Sequence, residues 1–155
     1  MKILTVGSGG REHAIVKALK KALEPGYPVT VLLETMAGKG NAGTADIAVN
    51  LPIGAEDVDA IAAWAAAEKP DLVVVGPEAP LVKGLVDELQ KLGIPAFGPV
   101  AAGARMEGSK RFAKEIMDAA GVPTGKAETF TDASAAKAAL PGYGLPGGIK
   151  ADGLA

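Results

Sequence analysis

The chain has 155 residues, 48% of them hydrophobic, and a formal charge of −2 with no cluster of Lys or Arg, so it can bury a core and is neither a disordered chain nor a basic nucleic-acid binder. It has no cysteine, which excludes disulfides, thiolate metal sites and a cysteine nucleophile, and its single histidine, His13, excludes a histidine pair for a metal. No apolar stretch approaches the ~18 residues of a membrane span, so a cytoplasmic protein without a membrane partner is expected.

Ile3–Val6 is a short apolar run that ends in glycines and reads as a strand. Ile15, Ala18, Leu19 and Ala22 follow at helical spacing. Val29–Leu33 is a second strand-like run, and Glu34–Thr44 reads as a glycine-rich loop. Val58, Ile61, Ala62 and Ala65 mark a helix, with Glu56 and Asp57 at its start, where acids suit the helix dipole. Leu72–Val75 is a third apolar run, Val82, Leu85, Val86 and Leu89 mark a helix, and Pro95–Phe97 is a short strand candidate. Ala113, Ile116, Met117 and Ala120 mark a further helix, with Ser109 as its N-cap. Beyond Gly121-Val122-Pro123 the character changes. Ala127–Phe130 reads as a strand, Asp132–Leu140 as a short Ala-rich helix, Pro141–Gly148 as turns, and Ile149–Gly153 as a strand running into a loop.

Alternation of strand and helix predicts βαβ units and a parallel sheet, and strands that are continuously apolar are buried on both faces. The expected fold is α/β: an open doubly wound parallel sheet over residues 1–121, then the beginning of a second domain over 122–155, with the boundary near Gly121–Thr124.

The distinctive residues all follow strands, which is where ligands bind in an open α/β sheet. Gly7-Ser8-Gly9-Gly10 ends the first strand and opens a helix whose free N–H groups suit a phosphate, and Arg11 adds a cation able to make two parallel hydrogen bonds to phosphate oxygens. The plainer reading is that the glycines only turn the chain and Arg11 is solvated. A dinucleotide fingerprint, G-x-G-x-x-G with an acid ~20 residues on, is matched at Gly7, Gly9 and Glu34, but Glu12 stands at the third glycine and argues against NAD. His13, in the first helical turn, reads as a structural or orienting residue. Glu78, after Gly76-Pro77 and before Ala79-Pro80, is a carboxylate on a stiffened loop that can accept hydrogen bonds from a sugar diol; otherwise it is a helix-start acid. Lys110 and Lys150 are single lysines in weak motifs, candidates for nucleotide contact or for plain solvation.

In order along the chain stand GSGGREHA at 7–14, GNAGTA at 40–45, VGPEAPL at 75–81, FGP at 97–99, EGSKRFAK at 107–114, GVPT at 121–124 and KADGLA at 150–155. This series resembles the phosphoribosylamine–glycine ligases, also called glycinamide ribonucleotide synthetases, and covers essentially the whole chain. The resemblance implies a Rossmann-like pre-ATP-grasp domain followed by the start of an ATP-grasp domain. It implies a reaction in which glycine and ATP give glycyl phosphate, which the amine of 5-phosphoribosylamine attacks, with Mg or Mn bridging the ATP phosphates. Carried onto this sequence, Gly9, Gly10 and Arg11 would hold the phosphoribosylamine end, with Asn41 and Gly43 lining the same pocket. Gly76 and Pro77 would line it too, and Glu78 would receive the ribose hydroxyls. Lys110 and Lys150 would contact ATP. The partners implied are small molecules, with no nucleic acid, and the expected state is a monomer.

Two segments depart from the family pattern: ETMAGK at 34–39 replaces a short Ala-Pro lead, and Gly148-Ile149 stands where two valines are usual. The Gly-rich phosphate loop and metal-binding acids that the resemblance implies are not among these residues, so the chain is expected to be a truncated piece that does not catalyse the reaction unaided. An NAD-dependent oxidoreductase domain and a non-catalytic nucleotide-binding domain are the competing readings.

Overall fold

A computed structural model describes residues 1–22, 43–144 and 146–154, and the backbone of 32–36. It divides into two compact units, Met1–Ala104 and Arg105–Ala155; the boundary expected near Gly121 lies within the second.

Five strands are described in the first unit: β1 (Lys2–Val6), β2 (Leu32–Met36), β3 (Val49–Leu51), β4 (Leu72–Val75) and β5 (Ala96–Phe97). They form one sheet in the order β3-β2-β1-β4-β5, and every pairing is parallel. Helices α1 (Gly10–Ala22), α2 (Val58–Glu68), α3 (Glu78–Val82) and α4 (Leu85–Lys91) lie between them, and α5 (Ala101–Gly108) follows β5.

Side chains alternate across the sheet, so β1 and β4 each feed two cores. Leu4, Val6, Val73 and Val75 pack with Ile61 and Ala65 of α2 and with Leu85, Val86 and Leu89 of α4. Ile3 and Val74 point the other way, against Val16 of α1. Helices therefore cover both faces, as the unbroken apolar runs of β1 and β4 require.

The sequence reading is corrected in four places. Residues 34–36 continue β2 rather than opening a loop, since Glu34, Thr35 and Met36 pair in register with Leu4, Thr5 and Val6; residues 29–31 lie outside the described residues. The helix expected over 82–89 is two helices, because Gly84 between α3 and α4 has a left-handed φ of 89°. β3 and α5 have no counterpart among the expected elements. Residues 127–130 and 149–151 are not strands; they are exposed, and a strand without a ladder partner has nothing to fix it.

The second unit begins within α5 and holds α6 (Lys110–Ala119), α7 (Ala133–Ala139) and a 3-10 turn at Leu140–Gly142. Ser109 caps α6 and Asp132 caps α7, accepting from Phe112 N–H and Ala135 N–H at 3.1 and 2.8 Å. Among the described residues no helix is long and apolar enough to cross a membrane.

Candidate functional site

The strand order reverses beside β1: the chain steps outward through β2 and β3, then returns to pair β4 with the other side of β1. That makes the crevice between β1 and β4 the topological switch point, where open α/β sheets bind ligands outside the carboxyl ends of their strands. The ladder runs on past β4, Gly76 N–H donating to Val6 O at 3.1 Å. The loops Gly7–Gly9 and Gly76–Pro77 therefore leave the sheet side by side.

Arg11, in the first turn of α1, spans this crevice. Its Nη1 donates to the carbonyl of Gly76 and to Glu78 Oε1, the latter at 3.0 Å. Glu78 opens α3, and Pro77 is its N-cap. The Glu78 carboxyl sits below the ordinary glutamate range, first because its own backbone N–H binds it and second because Arg11 does. Both side chains remain open to solvent, 57% and 38% exposed, so a ligand can reach them.

A groove of about 390 Å³ lies here, lined by Ser8, Gly9, Gly10, Arg11, Glu12, Ala55, Glu56, Pro77 and Ala79. The structure thus gathers Gly9, Gly10, Arg11 and Pro77 into one groove, with Gly76 and Glu78 tied to its edge through Arg11. Gly43 is not among the groove's residues. It backs onto His13, whose imidazole a Cβ at position 43 would overlap. Asn41 lies outside the described residues.

Two groove acids were named by the sequence reading but not as site residues. Glu56, taken there for a dipole acid, pairs with Lys83 Nζ at 2.9 Å. Glu12 is buried, only 4% exposed, with Oε2 accepting Gly9 N–H at 2.6 Å. The signal was present: an acid in the first helical turn, at the place of the third glycine of a dinucleotide fingerprint.

The second unit has its own groove, about 410 Å³, lined by Met106, Glu107, Lys110, Ala113, Lys114, Met117, Thr124, Gly153 and Leu154. Lys110 Nζ donates to Gly153 O at 2.6 Å. Asp152 accepts from Ser109 Oγ at 3.0 Å and from Arg111 N–H at 3.2 Å. Its carboxyl is lowered, chiefly by that Arg111 N–H. Two segments far apart in the chain, 107–114 and 150–154, are thereby clasped together. Lys150 is exposed and is not one of the groove's residues. Among the described residues no group of three or more His, Asp or Glu could hold a metal ion.

An all-parallel α/β sheet with a glycine loop and a cation–carboxylate pair at its switch point places the first unit among small-ligand-binding α/β domains. Comparison with known proteins narrows this. The family described as "Phosphoribosylglycinamide synthetase, N domain" matches residues 1–107, and the chain belongs to that family. It is 49% identical over 156 residues to the phosphoribosylamine–glycine ligase of Leifsonia xyli subsp. xyli, covering 100% of this chain and 36% of that protein. It is 46% identical over 158 residues to that of Escherichia coli strain K12, covering 100% of this chain and 35% of that protein. The chain thus spans about a third of the length of these curated relatives. In fold it is similar to a structure of "glycinamide-RNase-transformylase T" from Mycobacterium tuberculosis, with TM-score 0.68 and 18% identity over 90% of this chain and 38% of that one. It is also similar to N5-carboxyaminoimidazole ribonucleotide synthetase from Thermus thermophilus, with TM-score 0.62 and 22% identity over 94% of this chain and 36% of that one.

Proposed function

We propose that this chain is the phosphoribosylamine-binding part of an ATP-dependent ligase of purine biosynthesis that joins glycine to 5-phosphoribosylamine in the cytoplasm. The observation that carries the reading is the Arg11–Glu78 pair bridging the β1 and β4 loops at the switch point. Such a pair offers a phosphate a guanidinium fork and a sugar an ionised carboxylate, side by side. Gly9 and Gly10 bring backbone close to the phosphate at the start of α1, and the N-terminal dipole of that helix adds to the attraction. Gly76 and Pro77 set Glu78 against the ribose hydroxyls, while Gly43 serves the site from behind, by leaving room for the His13 imidazole.

In the reaction, glycine's carboxylate takes the γ-phosphoryl group of ATP, releasing ADP. The amine of phosphoribosylamine then attacks the acyl carbon and expels phosphate, leaving glycinamide ribonucleotide. This unit's contribution is to hold the amine's sugar phosphate in line, which is catalysis by positioning. In the complete enzyme residues 1–121 form the Rossmann-like substrate domain and 122–155 begin the ATP-grasp domain; Lys110, near the end of the first, and Lys150, in the second, reach ATP. Mg or Mn would neutralise the ATP phosphates there. Among the described residues no group of three acids or histidines could hold such an ion.

The test is calorimetric titration of the chain with glycinamide ribonucleotide, with NAD and with ATP–Mg in parallel. Heat with glycinamide ribonucleotide that vanishes in Arg11→Ala and Glu78→Ala is the expected result. Binding of NAD alone would overturn the reading in favour of a dinucleotide domain.

A further inference from the structure

Glu12 is the one charged side chain among the buried residues described, with 4% exposure. A buried carboxylate is sustained only by hydrogen bonds or an opposite charge. Glu12 Oε2 takes the Gly9 N–H at 2.6 Å, a short bond of the charge-assisted kind. The rest of the side chain lies against backbone. A Cβ on Gly7 or on Gly76 would overlap it, and one on Gly9 would come to 3.0 Å from Oε2. Gly7 and Gly9 belong to the β1 loop and Gly76 to the β4 loop. Their missing side chains make room for Glu12, a close approach that the sequence alone assigns to a ligand.

We propose that Glu12 is the positioning residue of the switch-point pocket: its carboxylate wedges between the two loops, holds Gly9 N–H from the protein side, and so fixes where Arg11 presents its guanidinium to a sugar phosphate. This rests on the sugar-phosphate reading above. The neighbouring residue in sequence reaches outward, Arg11 meeting Glu78 at 3.0 Å while Glu12 turns inward. One helical turn thus carries both the contacting group and the group that sets it.

The test is titration of the chain with glycinamide ribonucleotide in wild type, Glu12→Gln, Glu12→Asp and Glu12→Ala, each checked for folding by its amide NMR spectrum. Glu12→Gln keeps an oxygen for Gly9 N–H at the same reach and should bind within about threefold of wild type. Glu12→Asp falls one methylene short and Glu12→Ala has no acceptor; both should lose about tenfold or more, since displacement of a positioned group by ~1 Å has effects of that order. Ile61→Val, a comparable disturbance of the core away from the groove, should leave affinity unchanged. Wild-type binding with unaltered affinity in Glu12→Asp and Glu12→Ala overturns the proposal and leaves the sugar-phosphate reading standing. Equal loss in Glu12→Gln and Glu12→Asp overturns it too. No binding by wild type removes the sugar-phosphate reading and this proposal together. If Glu12→Ala does not fold, the contrast between Glu12→Gln and Glu12→Asp decides.

Discussion

Arg11 and Glu78 stand 67 positions apart in sequence, yet their side chains meet at 3.0 Å across the seam between two neighbouring parallel strands. Exposed ion pairs of this kind add only ~0.2–1 kcal/mol to stability. The pair is therefore better suited to ligand contact than to holding the fold. Arg11→Ala should leave the urea midpoint nearly unchanged while lowering affinity for glycinamide ribonucleotide by about tenfold or more, as calorimetry would read. Arg11→Lys should recover part of the loss, because an ammonium keeps the charge without the fork.

The depressed Glu78 carboxyl sets a pH profile. A group whose folded-state pKa is lowered contributes stability above its unfolded value and loses it as pH falls through the folded value. The stability that Glu78 contributes should accordingly be constant through the neutral range and be lost only in acid, as pH falls below the ordinary glutamate range. In an NMR titration the Glu78 carboxyl of Arg11→Ala should move only partway back, since its own backbone N–H is the larger cause of the shift.

Gly76→Ala forces a Cβ into the Glu12 side chain. Overpacking of this kind destabilises by about 1–3 kcal/mol. Chemical denaturation should show that penalty shrinking sharply when Glu12→Ala is also present, a coupling expected only if the two loops meet through Glu12. Additive penalties would contradict the packing described.

Lys69 ends α2 with φ of 48°, the only non-glycine residue described in the left-handed region. Glycine takes that conformation without strain. Lys69→Gly should raise unfolding stability by roughly 0.5–1 kcal/mol, measured by urea denaturation, with no change in ligand affinity.

In the second unit, Asp152 fastens the 150–154 segment to the start of α6 through Ser109 and Arg111. Asp152→Ala should raise the amide exchange rates of Arg111 and Phe112, leaving exchange in β1 and β4 of the first unit as it was.

Much of this architecture can be read from local pattern. β1 and β4 are unbroken apolar runs, and α1 and α2 keep helical spacing, so their existence followed from side-chain periodicity. The break at Gly84 was hidden because Val82, Leu85, Val86 and Leu89 keep helical spacing straight across it. β3 was hidden because a three-residue edge strand with a half-exposed face is too short to show a period. At the site, position after a strand was enough to draw attention to Gly9, Gly10, Arg11 and Glu78. The inward turn of Glu12 was not visible, because its reason is Gly76, a residue distant in sequence and adjacent only once β1 and β4 pair.

The sheet order also constrains how the molecule is made. β1 leaves the ribosome well before one of its two neighbours, β4, at Leu72–Val75. Until those residues emerge, the central strand of the finished sheet is an edge, with its row of hydrogen-bonding groups open on one side. The switch-point crevice cannot exist before then, so no ligand bound there can stabilise the strand that later lies at the sheet's centre during that interval.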